Sequence, residues 1–293
     1  MFPMVTTMHR EPHLRELGEF LKVHRDQLSP DAVGLASTGD RRRVTGLRRE
    51  EVAQLINISS DYYTRIEQGR LAPSAPVLGS LIEAMQLDED QAEYVRELAD
   101  HANRQPVVST SDRRTTRAPR SAVRPQMRRV LEQLTDTPAI VLGPRTDLLA
   151  WNELARRVYI DFEAIPPAER NYVRLIFTHP PMRELFDDWQ SVAKSCVAVL
   201  RREAVANPAD PALSALVGEL SIVDRQFGQW WSARNVARQD FGTKVLNHPT
   251  VGELTLDWDI FLYSGSPEQQ LVLNSAEEGS PTQARLRELL AAD

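Results

Sequence analysis

Apolar residues recur at helical spacing on two short, successive segments between residues 45 and 70. The positions that share a face are Leu47, Val52, Leu55 and Ile56 in the first segment, and Ser59, Tyr63 and Ile66 in the second. Asn57 lies between the segments, where the chain turns within about three residues, and Asn tolerates the positive φ that such a turn requires. Ser59 is a suitable N-cap, and Ala53 is small enough for two helices to cross. The pattern predicts a helix-turn-helix.

Three further amphipathic segments flank this motif, at residues 14–21, 77–85 and 94–102. We therefore predict an all-α domain of five short helices over residues 12–104. Residues 105–121 are rich in Ser, Thr, Pro and Arg and predict a linker. Seven arginines and no acidic residue lie between residues 113 and 129. Two interpretations of this stretch stay open: a solvated tether, or a basic arm that touches DNA phosphates.

The pattern of residues 122–293 predicts a second domain of the α+β class. Two apolar runs at residues 139–142 and 148–151 enclose a Gly-Pro turn, which is typical of a hairpin. A long helical stretch follows at residues 168–233, and period-two alternation returns at residues 244–247, 252–261 and 270–274. This order predicts an antiparallel sheet of about five strands with helices covering one face.

Composition excludes several classes of protein. Hydrophobic residues make up 42% of the 293 residues and charged residues 26%, which is typical of a globular protein. The chain has neither the run of about 20 apolar residues that a membrane span needs nor a signal-peptide pattern, so we expect a cytoplasmic protein. The single cysteine, Cys196, cannot form an intrachain disulfide, and the six scattered histidines predict no metal site. A net charge of −6 still permits DNA binding, because only the docking face must be positive.

The first motif resembles the helix-turn-helix of the phage-repressor and Xre/Cro type. The resemblance is carried by Leu47, Glu51, Val52, Ala53, Asn57, Ile58, Ser59, Ile66, Glu67 and Gly69. It differs from the usual family pattern at the turn, where Asn57 replaces a glycine. The resemblance implies that Glu51 and Glu67 are structural acids and that Arg49 contacts a phosphate.

The second helix of such a motif reads bases in the major groove with its outward N-terminal positions. Ser60 and Asp61 are expected to contact bases, whereas base and backbone contacts stay open for Thr64 and Arg65. Asp61 can accept from cytosine or orient Arg65, four residues later. The full predicted DNA-binding set is Arg43, Arg48, Arg49, Ser59, Ser60, Asp61, Tyr62, Thr64, Arg65 and Arg70.

Most of residues 125–290 is similar to the MmyB-like ligand-binding domain found behind Xre-type helix-turn-helix domains. The segments that carry this resemblance are DTPAIVLGPRTDLLAWNELAR, RNYVRLIF, DDWQ, FGQWW, GTKVLNHPTVGELTLDWD and SAEEGSP. The resemblance implies a PAS-like arrangement with a hydrophobic pocket between sheet and helices, which accommodates a fatty-acid-like or other amphipathic molecule. The predicted ligand-binding set is Trp151, Asn171, Arg174, Phe177, Trp189, Phe227, Trp231, Arg234 and Asn235.

The sequence shows no catalytic constellation, Gly-rich phosphate loop or CxxC motif, so we expect no enzyme activity and no cofactor. The leading interpretation is a homodimeric transcriptional regulator that binds double-stranded DNA and senses a small apolar ligand. The alternative is a DNA-tethered protein-interaction module without a small-molecule ligand. The two differ in whether the tryptophan-rich region encloses an accessible cavity or is filled by its own side chains.

Overall fold

A computed structural model describes residues 10–35, 46–103, 123–234, 241–262 and 268–291. The chain divides into two compact units. The first comprises Met1–Asp112 with the segments Arg201–Asp210 and Ser232–Ala237, and the second comprises Arg113–Leu200, Pro211–Trp231 and Arg238–Asp293. The predicted linker at residues 105–121 lies outside the described residues.

The helical prediction for the N-terminal region is confirmed. Five α-helices occur in the described part of residues 10–103: α1 (Arg10–Gln27), α2 (Arg49–Leu55), α3 (Ser60–Glu67), α4 (Ala75–Ala84) and α5 (Glu89–Asn103). Their apolar faces form one core, which includes Leu17, Phe20, Leu21, Val52, Tyr63, Ile66, Leu81, Val95 and Leu98.

The turn between α2 and α3 has the geometry that its sequence predicts. Asn57 adopts a φ of 56°, and the Ser59 hydroxyl oxygen accepts a hydrogen bond of 3.1 Å from the Tyr62 amide. Ala53 and Tyr63 are buried, so Tyr63 belongs to the core and does not face DNA. A Cβ added at Gly18 in α1 would lie 2.3 Å from the carbonyl oxygen of Glu67. Only glycine therefore allows α1 to approach α3 this closely.

Eight further α-helices occur in the described residues after residue 122. They are α6 (Pro125–Gln133), α7 (Glu153–Val158), α8 (Tyr172–Thr178), α9 (Pro180–Leu185), α10 (Trp189–Ala206), α11 (Pro211–Val223), α12 (Arg225–Ala233) and α13 (Pro281–Ala291). Asn152 caps α7 as its sequence suggests, because its Oδ1 accepts from the Ala155 amide at 2.9 Å. None of the helices that the structure describes is long and apolar enough to cross a membrane.

The predicted five-stranded antiparallel sheet is confirmed. Its strands are β1 (Ala139–Leu142), β2 (Leu148–Trp151), β3 (Phe241–His248), β4 (Gly252–Leu262) and β5 (Gln270–Ser275), in the order β2-β1-β5-β4-β3. The hairpin between β1 and β2 turns through Arg145 and Thr146, which both have positive φ.

One sheet face packs against α6. Ala139, Val141, Ala150 and Leu271 share a buried cluster with Val123, Met127 and Leu131. The spacing of Met127, Val130 and Leu131 in the sequence predicts that all three lie on the apolar side of this helix, which is wrong for Val130, because it is 44% exposed. The helix is only nine residues long, and Met127 and Leu131, four apart, suffice to cover the strands.

The opposite face carries both tryptophans of the strands, Trp151 and Trp258, and we call it the aromatic face. Cross-strand partners in an antiparallel sheet project to the same side. The partners that define this face are Trp151 with Ile140, Ile140 with Val272, Val272 with Ile260, Asn274 with Trp258, Trp258 with Gly242, and Leu256 with Lys244.

Candidate nucleic-acid interface and ligand-binding face

The N-terminal end of α3 presents polar side chains to solvent. Ser60, Asp61 and Arg65 are exposed, while Ser59 uses its hydroxyl oxygen to cap the helix. The Arg65 Nε lies 3.0 Å from the Asp61 Oδ2, one helical turn away. In this DNA-free chain Asp61 therefore orients Arg65. An exposed pair of this kind is worth at most about 1 kcal/mol, so DNA can separate the two groups at little cost.

Two neighbouring positions are less free to read bases. The Thr64 hydroxyl donates to the Ser60 carbonyl oxygen at 2.7 Å, which leaves its oxygen as an acceptor. Tyr62 is half-buried against the helical core, so only part of its ring is accessible. Both positions remain predictions as DNA contacts.

Arg49, at the start of α2, forms an ion pair with Glu67 at the end of α3. Its Nε lies 2.8 Å and its Nη2 2.7 Å from the Glu67 Oε1, and its side chain is 42% exposed. The almost fully buried Glu67 also accepts from the Arg25 Nε at 2.8 Å, and the Arg25 Nη1 donates to the Leu47 carbonyl oxygen at 2.7 Å. Glu67 thus ties both helices to α1.

The charge of Glu67 is held by its two arginines. Burial by itself raises the pKa of this carboxyl, but the hydrogen bonds from Arg25 and Arg49 outweigh that effect and hold the pKa below its usual value. Two guanidinium groups share the Glu67 carboxylate, and Arg25 also pairs with Asp26 at 2.7 Å, so the charges of the cluster balance while Arg49 stays partly exposed. The buried Arg25 carries no spacing signal, so the sequence pattern missed it.

The remaining predicted DNA contacts occupy exposed positions or lie outside the described residues. Arg48 and Arg70 are exposed. The Arg48 amide donates to the Glu51 Oε2 at 2.7 Å, so Glu51 closes the N-terminus of α2, as a structural acid does. Arg43 lies outside the part of the chain that the structure describes.

Four of the predicted ligand-binding aromatics contact one another on the helices. The Phe177 ring centroid lies 5.7 Å from that of Trp189 and 5.1 Å from that of Phe227, and Phe227 stacks on Trp231 at 5.9 Å. Phe177, Trp189 and Phe227 are buried. These contacts are those of a packed aromatic cluster that joins α8, α10 and α12.

The predicted polar ligand contacts already have protein partners. The Asn171 Oδ1 caps α8 through the Arg174 amide at 2.9 Å, and its Nδ2 donates to the Arg145 carbonyl oxygen at 2.6 Å. The Arg174 Nη2 lies 2.5 Å from the Glu219 carboxylate. Both residues therefore hold α8 in place, and their role toward a ligand stays a prediction.

Arg234 lies in the segment Ser232–Ala237 of the first unit, where its guanidinium pairs with the carboxylates of Glu16 and Glu19. The Glu16 carboxylate also accepts from the Tyr94 hydroxyl at 3.0 Å, so this arginine belongs to a polar network of the helical core. Asn235, beside it, lies outside the described residues.

Trp151 is the member of the predicted ligand set that lies on the aromatic face. Its ring lies 5.2 Å from that of Phe162, and Phe162 lies 6.3 Å from Tyr159. The Tyr159 hydroxyl donates to the Oδ1 of the buried Asn274 at 3.0 Å. A continuous run of aromatic rings therefore covers this side of the sheet.

Lys244 continues that run and was missed by sequence reasoning. Its Nζ lies 5.2 Å from the centroid of the Tyr159 ring and 6.0 Å from that of Trp258. Lys244 and Tyr172 are half-buried, so each keeps some accessible surface. Period two provides the missed signal, since Lys244 shares a strand face with Leu246.

Comparison with known proteins agrees with both parts of the structure. Residues 16–95 match the model of a helix-turn-helix domain, and residues 123–290 match that of the MmyB-like transcription regulator ligand binding domain. The second match covers more than half of the chain. The chain belongs to the MmyB-like transcription regulators. None of the curated proteins matches it.

As an MmyB-like regulator, the protein combines a DNA-binding domain with a domain for a small ligand. This is the domain architecture of a transcriptional regulator. Among the residues that the structure describes, no group of three or more His, Cys, Asp or Glu side chains is placed to hold a metal ion.

Burial sets the protonation of the groups around Lys244 in this MmyB-like domain. It lowers the pKa of the Lys244 ammonium to about 7 and raises the pKa of the Cys196 thiol to about 12. It also raises the pKa values of the Tyr159 and Tyr172 hydroxyls above their ordinary values. At neutral pH the three acidic groups are therefore uncharged, and Cys196 is a core residue rather than a reactive thiol.

Proposed function

We propose that this MmyB-like regulator is a sequence-specific, homodimeric DNA-binding protein whose ligand-binding domain takes a small, fatty-acid-like molecule. The observation that carries the DNA-binding part is the exposed end of α3, where Asp61 and Arg65 stand free of the core beside a capped N-terminus. A helix of this kind reads bases with its first outward residues, and a dimer reads two half-sites about one helical turn apart.

Ligand binding is supported by the aromatic face. Trp151, Tyr159 and Trp258 supply apolar surface, while Lys244 and Tyr172 are half-buried polar groups. Apolar walls with a few polar groups are typical of small-molecule sites. A ligand that prefers one arrangement of the dimer would change the spacing of its two helix-turn-helix domains and so its affinity for the operator.

Selection of DNA sequences from a random pool tests the DNA-binding part. The wild-type protein should enrich a two-fold symmetric site, and Arg65→Ala should weaken or relax recognition at one position of each half-site. Arg96→Ala is the matched control, because Arg96 is an exposed arginine on α5. Enrichment of no sequence would refute sequence-specific binding, and a half-site bound by a monomer would refute the dimer.

A second candidate, the DNA-tethered protein-interaction module, is favoured by a separate observation. The ends of β3 and β4 expose Phe241 and Phe261, which are 73% and 53% accessible. Exposed aromatic residues are common at protein interfaces. Native mass spectrometry followed by lipid extraction separates the candidates. A bound small molecule that disappears on extraction supports the ligand, whereas repeated absence of any copurifying or added acyl ligand supports the module.

A further inference from the structure

We infer that Lys244 anchors an anionic head group, so that the aromatic face selects carboxylic acids over neutral molecules with the same tail. This inference rests on the proposed ligand-binding function and names the chemistry of its polar end. In this inference the Lys244 side chain alone distinguishes an acid from a neutral ligand with the same tail.

Lys244 occupies a position in β3 at which the alternation of buried and exposed residues predicts an apolar side chain. Lys244 projects from β3 to the same side as Leu246, and its cross-strand partner is Leu256. Both leucines are fully buried. Placing an ammonium group there costs free energy unless a partner compensates the charge. A lysine at such a place is a common sign of a functional group, and the part of the chain that the structure describes supplies no carboxylate for it.

No negatively charged side chain of the described residues pairs with Lys244. Its ammonium contacts the faces of Tyr159 and Trp258. The titratable neighbours from the packed helices are Tyr159 after α7, Tyr172 at the start of α8 and Cys196 on α10, all neutral near pH 7. A carboxylate that entered this space would be the missing partner.

The residues around Lys244 also suit the other parts of an amphipathic acid, namely a second oxygen of its carboxylate and its apolar tail. Tyr172 is close enough to Tyr159 and Cys196 to interact with both electrostatically, and no protein group accepts from its hydroxyl among the described residues. Lys244 shares both of these neighbours, so the Tyr172 hydroxyl is available as a second donor to the same ligand. The aromatic run through Tyr159, Phe162 and Trp151 offers apolar surface for the tail.

Lysine is rare in this chain. Only three of its 35 basic residues are lysines, namely Lys22, Lys194 and Lys244. An ammonium is a compact point charge that loses its proton readily when buried, whereas a guanidinium stays charged. Lys244 can thus be a neutral amine without a ligand, and arrival of a carboxylate favours the ammonium. In that step the amine takes one proton from a hydronium ion of the solvent: one N–H bond forms, one O–H bond of the hydronium breaks and leaves water, and the ammonium donates to the carboxylate.

The test compares dodecanoic acid with its methyl ester. Binding to the full-length wild-type protein is measured by calorimetry and by quenching of tryptophan fluorescence, and the acid should bind at least about tenfold more tightly, as a charge-assisted pair implies. Lys244→Met should remove this preference and leave the affinity for the ester within about twofold. Lys194→Met is the matched control, because Lys194 also lies over a tryptophan, at 5.6 Å from Trp230, but is exposed.

A second measurement does not depend on the folding of a variant. Reductive methylation of the wild-type protein is mapped by mass spectrometry with and without dodecanoic acid. Saturating acid should slow modification of Lys244 at least about fivefold, as occupancy of a single site implies, and leave Lys22 and Lys194 unchanged. Equal modification of Lys244 in both samples would overturn the inference.

The possible failures are distinguishable. Equal binding of acid and ester to the wild-type protein, with no change in Lys244→Met, overturns the role of Lys244 and leaves an apolar ligand in place. Binding of neither molecule overturns both the inference and the fatty-acid-like ligand of the proposed function. Loss of both affinities in a folded Lys244→Met protein would also contradict the inference, because the ester does not need the ammonium.

Discussion

The Nε of Arg49 lies 2.8 Å from the Oε1 of Glu67, which joins the first residue of α2 to the last residue of α3. An arginine that resemblance assigns to a DNA phosphate is therefore also a structural residue. The Glu67 carboxylate, which ends α3, also fixes Arg49, the predicted phosphate contact. Variants that change only one of these two residues are therefore needed to separate their effects on DNA binding.

Replacement of Glu67 by Gln should destabilise the first unit by about 3 kcal/mol at pH 7, because Arg25 loses its buried partner. The pKa of Glu67 is lowered in the folded state, so its stabilising effect is present above the ordinary carboxyl pKa and is lost as pH falls through the folded value. Urea unfolding at pH 7 and in steps down to about pH 2 should therefore show that the difference in stability between wild type and variant narrows below the ordinary carboxyl pKa of about 4.3. Glu83→Gln, at an exposed acid, is the control. A constant gap would contradict the charged pair.

Arg49→Ala should weaken binding to specific and random DNA alike. If Arg49 neutralises one phosphate, the slope of log affinity against log salt should fall by about 0.9. Fluorescence anisotropy over a series of salt concentrations measures this slope, and Arg96→Ala should leave it unchanged. Unfolding must be measured in parallel, because the variant also removes a partner of Glu67. An unaltered slope in a folded variant would assign Arg49 a structural role only.

Asp61→Asn should release Arg65 from its intrahelical pair. Affinity for random DNA is expected to rise a few-fold, since one negative charge disappears from the docking face. Discrimination at the base pair that Asp61 contacts should fall by about 1 to 3 kcal/mol. Competition binding with single-base operator variants measures both effects. Asp100→Asn, an exposed acid on α5, should change neither, and an unchanged specificity ratio in Asp61→Asn would exclude base reading by this residue.

Asn57→Val should destabilise the first unit by roughly 1 to 2 kcal/mol, because a β-branched residue is strained at a φ of 56°. Asn57→Gly should be within about 0.5 kcal/mol of wild type, since glycine adopts that conformation freely. Thermal unfolding of both variants gives the comparison. Similar losses in the two variants would mean that the Asn57 side chain, rather than its backbone conformation, is what the turn requires.

Lys244→Met should stabilise the ligand-free protein by roughly 1 to 3 kcal/mol at pH 7. The pKa of Lys244 falls to about 7 on folding from about 10.4 in an unfolded chain, so between these values the unfolded chain holds a proton that the folded chain lacks. The stability of the wild type should therefore rise from pH 7 to pH 10 relative to that of the variant. Parallel profiles in urea unfolding would refute the lowered pKa.

Local signals predicted most of the fold. The helix-turn-helix needs only residues within about 25 positions, and Asn57, Ser59 and Tyr63 have the roles that their spacing suggests. The hairpin at β1 and β2 was equally clear, because its apolar runs flank a Gly-Pro turn.

The parts that could not be predicted depend on contacts between distant positions. Arg25 meets Glu67 across 42 residues, and Arg234 meets Glu16 across more than 200. Tryptophans and phenylalanines point to a ligand site by type alone, yet most of the predicted ones pack on each other in the helices. The residue type of Lys244 argued against a ligand site, since a charged residue in a strand usually faces solvent. Period two places Lys244 on the side of Leu246, and the register of β3 against β4 shows that this side is the one that Leu256 shares.

The glycine contact between α1 and α3 limits how the regulator can respond to its ligand. At Gly18 the two backbones leave no room for a single methyl group, so α3 cannot swing on its own without separating the helices. The helix-turn-helix and α1 are therefore expected to move as one rigid body. A ligand signal would then change the spacing of the DNA-binding domains, or the fraction of time in which they can bind, and not the shape of each domain.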